Sequence, residues 1–162
     1  MSESRRSLTG ADLRGVLLGG RYRLEALVGA GATAQVYAAL DLRLRRRVAV
    51  KVVHASAPDD DQRARLMQEA LVGASLSHPN LTPVLDLGEE ALAPDDARLY
   101  VVMLLLEGET LRQVILGGAI GWRRALALVQ HLLAGLGALH RAGVIHRDLK
   151  PENCLVIRQG GR

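Results

Sequence analysis

His146-Arg147-Asp148-Leu149-Lys150-Pro151-Glu152-Asn153 is the stretch on which the fold turns. It sets a carboxylate, an amine and a carboxamide (Asp148, Lys150 and Asn153) close together in a polar run. Upstream stands the longest periodic segment of the chain, Trp122 to Arg141. There Val129, Leu132, Leu133, Leu136 and Leu139 form one apolar stripe, which predicts an amphipathic helix about 30 Å long. After Gly143 come Val144-Ile145 and then the polar octet. Cys154 to Ile157 reads as a last short strand.

Further upstream the pattern is one of strands. Arg21 to Val28 alternates around Tyr22, Leu24 and Ala26. Gly29 to Thr33 is a glycine-containing turn, and Gln35 to Leu40 and Arg47 to Val53 follow as strands. Ala55 to Asp61 reads as a surface loop. Gln62 to Leu76 reads as a helix, with Leu66, Glu69, Ala70 and Gly73 on one face, ended by His78-Pro79-Asn80. Thr82 to Leu87 and Leu99 to Leu104 are two more strands, joined by an acidic loop from Glu89 to Arg98. Thr110 to Leu116 is a short helical stretch that Gly117-Gly118 breaks. The order predicts an α+β chain: a loosely ordered lead-in over 1–20, a small sheet lobe with one helix over 21–106, and a helical lobe over 107–162.

Composition narrows the function classes. Hydrophobic residues are 49% of the 162, so the chain can bury a core. Aromatics are 2% with no Phe, which argues against a stacking platform for single-stranded nucleic acid. The net charge is +4, with Arg spread along the chain and one dense run at Arg43, Arg45, Arg46 and Arg47 that reads as a solvated turn. The single cysteine, Cys154, allows no disulfide within the chain and fits a reducing compartment. Met1 to Gly10 has no apolar signal-peptide core, and no apolar run approaches the ~20 residues of a membrane span. The reading is soluble and cytoplasmic, with no nucleic-acid partner.

Two further motifs bear on chemistry. Gly29-Ala30-Gly31-Ala32-Thr33-Ala34-Gln35-Val36 follows G-x-G-x-x-G-x-V, with Ala34 where the third Gly would stand. Glycines let backbone amides approach phosphates closely, although a glycine pair in a hairpin is more often a plain turn. Its place between two strands disfavours a dinucleotide-binding fold. Val48-Ala49-Val50-Lys51 follows on the next strand. Lys51 is either a solvated strand end or a phosphate ligand. Glu69 lies on the apolar face of its helix, where a carboxylate is costly unless paired, and Lys51 is the obvious partner.

Taken with the octet, these motifs stand in the order Gly29/Gly31, Lys51, Glu69, Asp148, Asn153. In that order the chain resembles the protein kinase family over Tyr22 to Ile157, and in particular the bacterial serine/threonine kinases of eukaryotic (Hanks) type. The resemblance implies a protein-kinase-like fold, ATP and Mg²⁺, and a protein substrate with a Ser or Thr hydroxyl. It implies that Asp148 orients or deprotonates that hydroxyl, that Lys150 contacts the γ-phosphate, and that Asn153 ligates Mg²⁺. Lys51 would hold the α- and β-phosphates with Glu69 positioning it. The nucleotide would lie against Val28, Gly29, Ala30, Gly31, Ala32, Thr33, Ala34, Val36 and Ala49. Met103 matches the gatekeeper, Leu104 to Leu106 the adenine hinge, and Leu155 the other face of the ring. His146 would support the loop by packing, and Arg147 would pair with a phosphorylated activation loop.

The family pattern departs at the end. An Asp-Phe-Gly motif belongs shortly after Asn153, yet Cys154 to Arg162 contain no Asp. Asp86-Leu87-Gly88 precedes the octet and reads as a strand end, without a metal role. The expectation is a kinase chain that stops before its large lobe is complete. Such a chain would have little or no activity alone, and its helical stripe would face water. Two other readings stay open: a nucleotide- or partner-binding lobe without catalysis, and a non-functional remnant.

Overall fold

The computed structural model describes residues 12–31, 34–53, 74–93 and 96–157. The chain divides into two compact units. The helix expected over Gln62 to Leu76 lies almost wholly outside the described residues, as do Glu69, Ala32 and Thr33.

The first unit comprises residues up to Ala74 together with Val84–Leu105. It is built on a six-stranded antiparallel sheet: β1 (Leu17–Leu18), β2 (Tyr22–Ala30), β3 (Ala34–Asp41), β4 (Arg46–Val53), β5 (Val84–Ala93) and β6 (Asp96–Leu104), in the spatial order β1-β2-β3-β4-β6-β5. Alternation decides what each face carries. Tyr37 and Ala39 of β3, Val48, Val50 and Val52 of β4, and Tyr100 and Val102 of β6 join Tyr22, Leu24, Leu13 and Leu18 in one core. Tyr22 and Tyr100 meet edge to face at 6.2 Å between ring centroids, a favoured aromatic geometry.

Two expectations need correction. The lead-in is no loose tail over residues 12–20. Leu18 is fully buried, Leu13 is buried, and the backbone N–H of Leu13 donates to Tyr37 Oη at 3.0 Å. Two leucines in a glycine-spotted segment gave no periodic signal, because their partners lie on strands far along the chain. Nor are Glu89 to Ala93 and Asp96 to Arg98, the described parts of the expected acidic loop, loop residues. β5 and β6 run on as a ladder through Glu89↔Leu99, Glu90↔Arg98 and Ala91↔Ala97. Acidic residues here are tolerated because they find partners: Asp96 holds Arg98 through two bonds of 2.8 and 2.9 Å in the interior, and Glu90 accepts from the Gly19 N–H at 2.7 Å.

Asp86-Leu87-Gly88 is part of β5. Asp86 accepts from Tyr22 Oη at 2.5 Å and from Arg21 at 3.3 Å. Gly88 pairs with Tyr100, and a Cβ there would lie 2.6 Å from that ring's Cζ. Both residues therefore serve the sheet.

The second unit comprises Ser75–Pro83 and the chain from Leu106 onward. It holds β7 (Glu109–Thr110), α1 (Leu111–Leu116), α2 (Trp122–Arg141), a single 3₁₀ turn (Pro151–Asn153) and β8 (Leu155–Val156). Thr110 caps α1 with a capping box, accepting from the Gln113 N–H while Gln113 accepts from its own. The long helix spans Trp122 to Arg141 as expected, but of its stripe only Leu139 is buried, beside Gly135 and Ala138. Trp122, Leu126, Val129 and Leu133 are exposed. Gly135 lets the turn at Asn80 come close: a Cβ would stand 2.9 Å from the Asn80 carbonyl oxygen. Among the described residues, no helix is long and apolar enough to cross a membrane.

Candidate functional site

The sequence-predicted residues fall into two groups, one on each unit. In the first unit the β2–β3 hairpin carries the glycines. Gly29 pairs with Val36 and Ala30 with Gln35, and the Gly31 N–H closes the turn on the Ala34 carbonyl at 2.9 Å. Ala34 is already a buried strand residue opposite Val53, so a side chain is accommodated there.

Strand register groups the remaining residues of this half. Val36 lies beside Lys51, which lies beside Val101; Ala38 lies beside Ala49, which lies beside Met103. The row between these two, Tyr37, Val50 and Val102, points into the tyrosine-lined core. By the two-residue period, Val36, Ala49, Lys51 and Met103 share the opposite face. Leu104 pairs with Val48, a core residue, so its side chain does not join them. Val28 sits at an irregularity in the β2–β3 register and is exposed.

In the second unit the octet folds around Asp148. Arg147 takes a left-handed backbone (φ 58°), which costs a non-glycine residue about 1–2 kcal/mol. It turns the chain so that the Asp148 N–H reaches the His146 carbonyl at 2.7 Å. Lys150 Nζ stands 2.8 Å from Asp148 Oδ1. Asn153 Nδ2 donates to Asp148 Oδ2 and to the Asp148 carbonyl, both at 2.8 Å. Each carboxylate oxygen thus has a donor, one cationic and one neutral, and Asp148 and Lys150 are both about half exposed. With Nδ2 spent on Asp148, Oδ1 is the atom that Asn153 has left for a cation.

The octet is held from behind by its own neighbours. Pro151 starts the 3₁₀ turn, and the Asn153 N–H donates to the Lys150 carbonyl at 2.9 Å. Cys154 Sγ donates to the same carbonyl at 3.3 Å, and burial pushes its thiol pKa up, keeping the proton that bond requires. β8 pairs with β7, the Leu111 N–H reaches the Cys154 carbonyl at 2.7 Å, and Arg112 meets Glu152 at 3.0 Å. Sequence reading missed this β7–β8 clasp. The strand expected over Cys154 to Ile157 supplies β8, but its partner β7 at Glu109–Thr110 carries no strand signal of its own. Gly108 is needed beside it, since a Cβ would lie 2.6 Å from the Val156 carbonyl oxygen. His146, expected to pack beneath the loop, is exposed instead, and the clasp does the supporting. Leu155 sits on β8 opposite Thr110.

Comparison with known proteins follows the same outline. The protein kinase domain model matches residues 22–161. A probable serine/threonine-protein kinase PknB of Bifidobacterium longum is 42% identical over 150 residues, covering 89% of this chain and 22% of that protein. Serine/threonine-protein kinase PknA of Mycobacterium tuberculosis is 40% identical over 148 residues, covering 90% of this chain and 34% of that one. The crystal structure of the PknI kinase domain of M. tuberculosis superposes with a TM-score of 0.74 at 28% identity, covering 88% of this chain and 58% of the other. The chain therefore spans a fifth to a third of these curated relatives.

Proposed function

The chain belongs to the protein kinase domain family, and from that premise we propose that it carries the nucleotide-binding and phosphoryl-transfer residues of a serine/threonine protein kinase. The observation that carries the reading is the Asp148 carboxylate held between Lys150 and Asn153. Phosphoryl transfer asks a protein chiefly to position the reactants and offset oxygen charge. Asp148 would accept the bond from a Ser or Thr hydroxyl of a protein substrate and aim it in line. Lys150 would set a positive charge beside the transferring group, and Lys51, steadied by Glu69, would hold the α- and β-phosphates. Val36, Ala49 and Met103 share a sheet face that would suit the flat apolar adenine ring, with the backbone from Leu104 to Leu106 supplying its hydrogen bonds. The glycine turn from Val28 to Ala34 would lie along the phosphates.

The donor set fits Mg²⁺: Asn153 offers a hard amide oxygen. Bound there, the ion would neutralise phosphate oxygens. What the residues in hand do is orient that oxygen, through the paired Nδ2 bonds to Asp148.

A second reading is nucleotide binding without transfer. On either reading the chain is expected to bind ATP in a Mg²⁺-dependent way. Titration with a fluorescent ATP analogue, with and without Mg²⁺, tests this. Asn153→Ala should abolish the Mg²⁺ dependence, and Lys51→Met should weaken binding. If no variant alters nucleotide binding, or none occurs, the assignment fails. Brisk turnover by this chain, lowered about 10²–10⁴-fold by Asp148→Asn, would reject the binding-only reading and retain the kinase.

A further inference from the structure

We infer that the turn between β3 and β4 is a docking surface for an anionic lipid bilayer. Asp41 pairs with Arg46, closing a loop of Leu42, Arg43, Leu44 and Arg45. Its shape is set from inside. Asp41 Oδ1 accepts from the N–H groups of Arg43 and Leu44, both at 3.1 Å, and the Leu42 N–H donates to the Arg21 carbonyl at 3.0 Å. Every side chain from Leu42 to Arg47 is exposed, with Leu44 54% accessible. The acid in the turn does not neutralise these arginines, because Asp41 is buried and both its oxygens are engaged by Arg21. Among the described residues Arg43, Arg45 and Arg46 have no carboxylate within ion-pair distance, and Arg47 has only Glu25 at 4.0 Å.

Four guanidinium groups interleaved with two outward leucines at one hairpin tip match a bilayer surface in both respects. Headgroup charge attracts the arginines, and the acyl boundary takes the leucines. A nucleic acid would use the arginines and leave the leucines in water. An acidic peptide would need a groove, and a hairpin tip offers none.

The test is co-sedimentation of the 162-residue chain with phosphatidylcholine vesicles, with and without phosphatidylserine. Binding should require phosphatidylserine and fall with salt. The pair Arg43→Gln and Arg46→Gln, neither residue making a side-chain contact that holds the fold, should weaken it about 25-fold, from about fivefold per arginine. Leu44→Ser should weaken it while preserving the salt dependence. Arg123→Gln with Arg124→Gln removes the same charge from exposed positions on α2 and should leave binding nearly unchanged. Four results would overturn the proposal: no phosphatidylserine-dependent binding; an equal loss in the α2 pair, which would mean net charge alone; self-association in place of vesicle binding; or retention by RNA in place of vesicles.

Discussion

Asp41 is an ionised carboxylate with almost no exposure to water. The Arg21 guanidinium, 2.8 and 2.9 Å from its oxygens, holds its pKa at about 2 against the opposing pull of burial, helped by the Leu44 and Arg43 N–H groups. A carboxylate whose folded pKa lies below its unfolded value stabilises the fold above the unfolded value, near 3.9, and loses that contribution as pH falls toward the folded value. Urea denaturation across this range should therefore show stability declining between about pH 4 and pH 2, and Asp41→Asn should flatten that limb while lowering stability at neutral pH by roughly 2 kcal/mol. An unchanged acid limb in the variant would assign it to other carboxylates. Tyr22 is the complementary case: burial raises its pKa, with the bond to Asp86 adding to the effect, so it remains a donor throughout. Gly88 makes a different prediction. A methyl group there runs into the Tyr100 ring, so Gly88→Ala should cost about 1–3 kcal/mol by thermal denaturation. Loss of less than a few tenths would mean that the ring moves aside freely.

Short elements in the second unit carry the octet. Thr110 satisfies the first turn of α1 and also pairs with Leu155 of β8, so one residue ties the cap to the clasp behind Asn153. Thr110→Ala should cost about 1 kcal/mol. It should also raise hydrogen exchange at Leu111, whose N–H is bonded to Cys154. Exchange there that does not respond would separate the cap from the loop. α2 shows the limit of periodicity as evidence. Its length and amphipathic character were plain from the sequence, yet close packing fell to Gly135, Ala138 and Leu139, because the turn at Asn80 approaches where a glycine leaves room. Gly135→Leu should therefore destabilise this unit more than Leu133→Ala, although leucine is the better helix former.

For the chain as a whole, the exposed apolar residues of α2 matter most. Trp122, Leu126, Val129 and Leu133 present a contiguous helical face to water in a chain of 162 residues. Such a surface binds hydrophobic dyes and promotes association. Leu126→Gln with Leu133→Gln should lower dye fluorescence and light scattering with little change in unfolding midpoint. If the midpoint collapses, these leucines are packed in solution.

The residues proposed for the chemistry are adjacent or regularly spaced, which is why a sequence reading can group them. Asp148, Lys150 and Asn153 lie within one turn of chain, where local backbone geometry alone can bring them together. Val36, Ala49, Lys51 and Met103 lie on strands whose two-residue period fixes their common face once the strands pair. The lead-in, the continuous β5–β6 ladder and the clasp of β7 on β8 were decided only by tertiary structure. Leu13 and Leu18 are buried by strands far away in sequence, the acids of the hairpin are tolerated because Arg and N–H groups meet them, and a two-residue strand has no stability until its partner arrives. Local pattern specifies which groups a segment offers; whether water or protein answers them depends on contacts that no single segment contains.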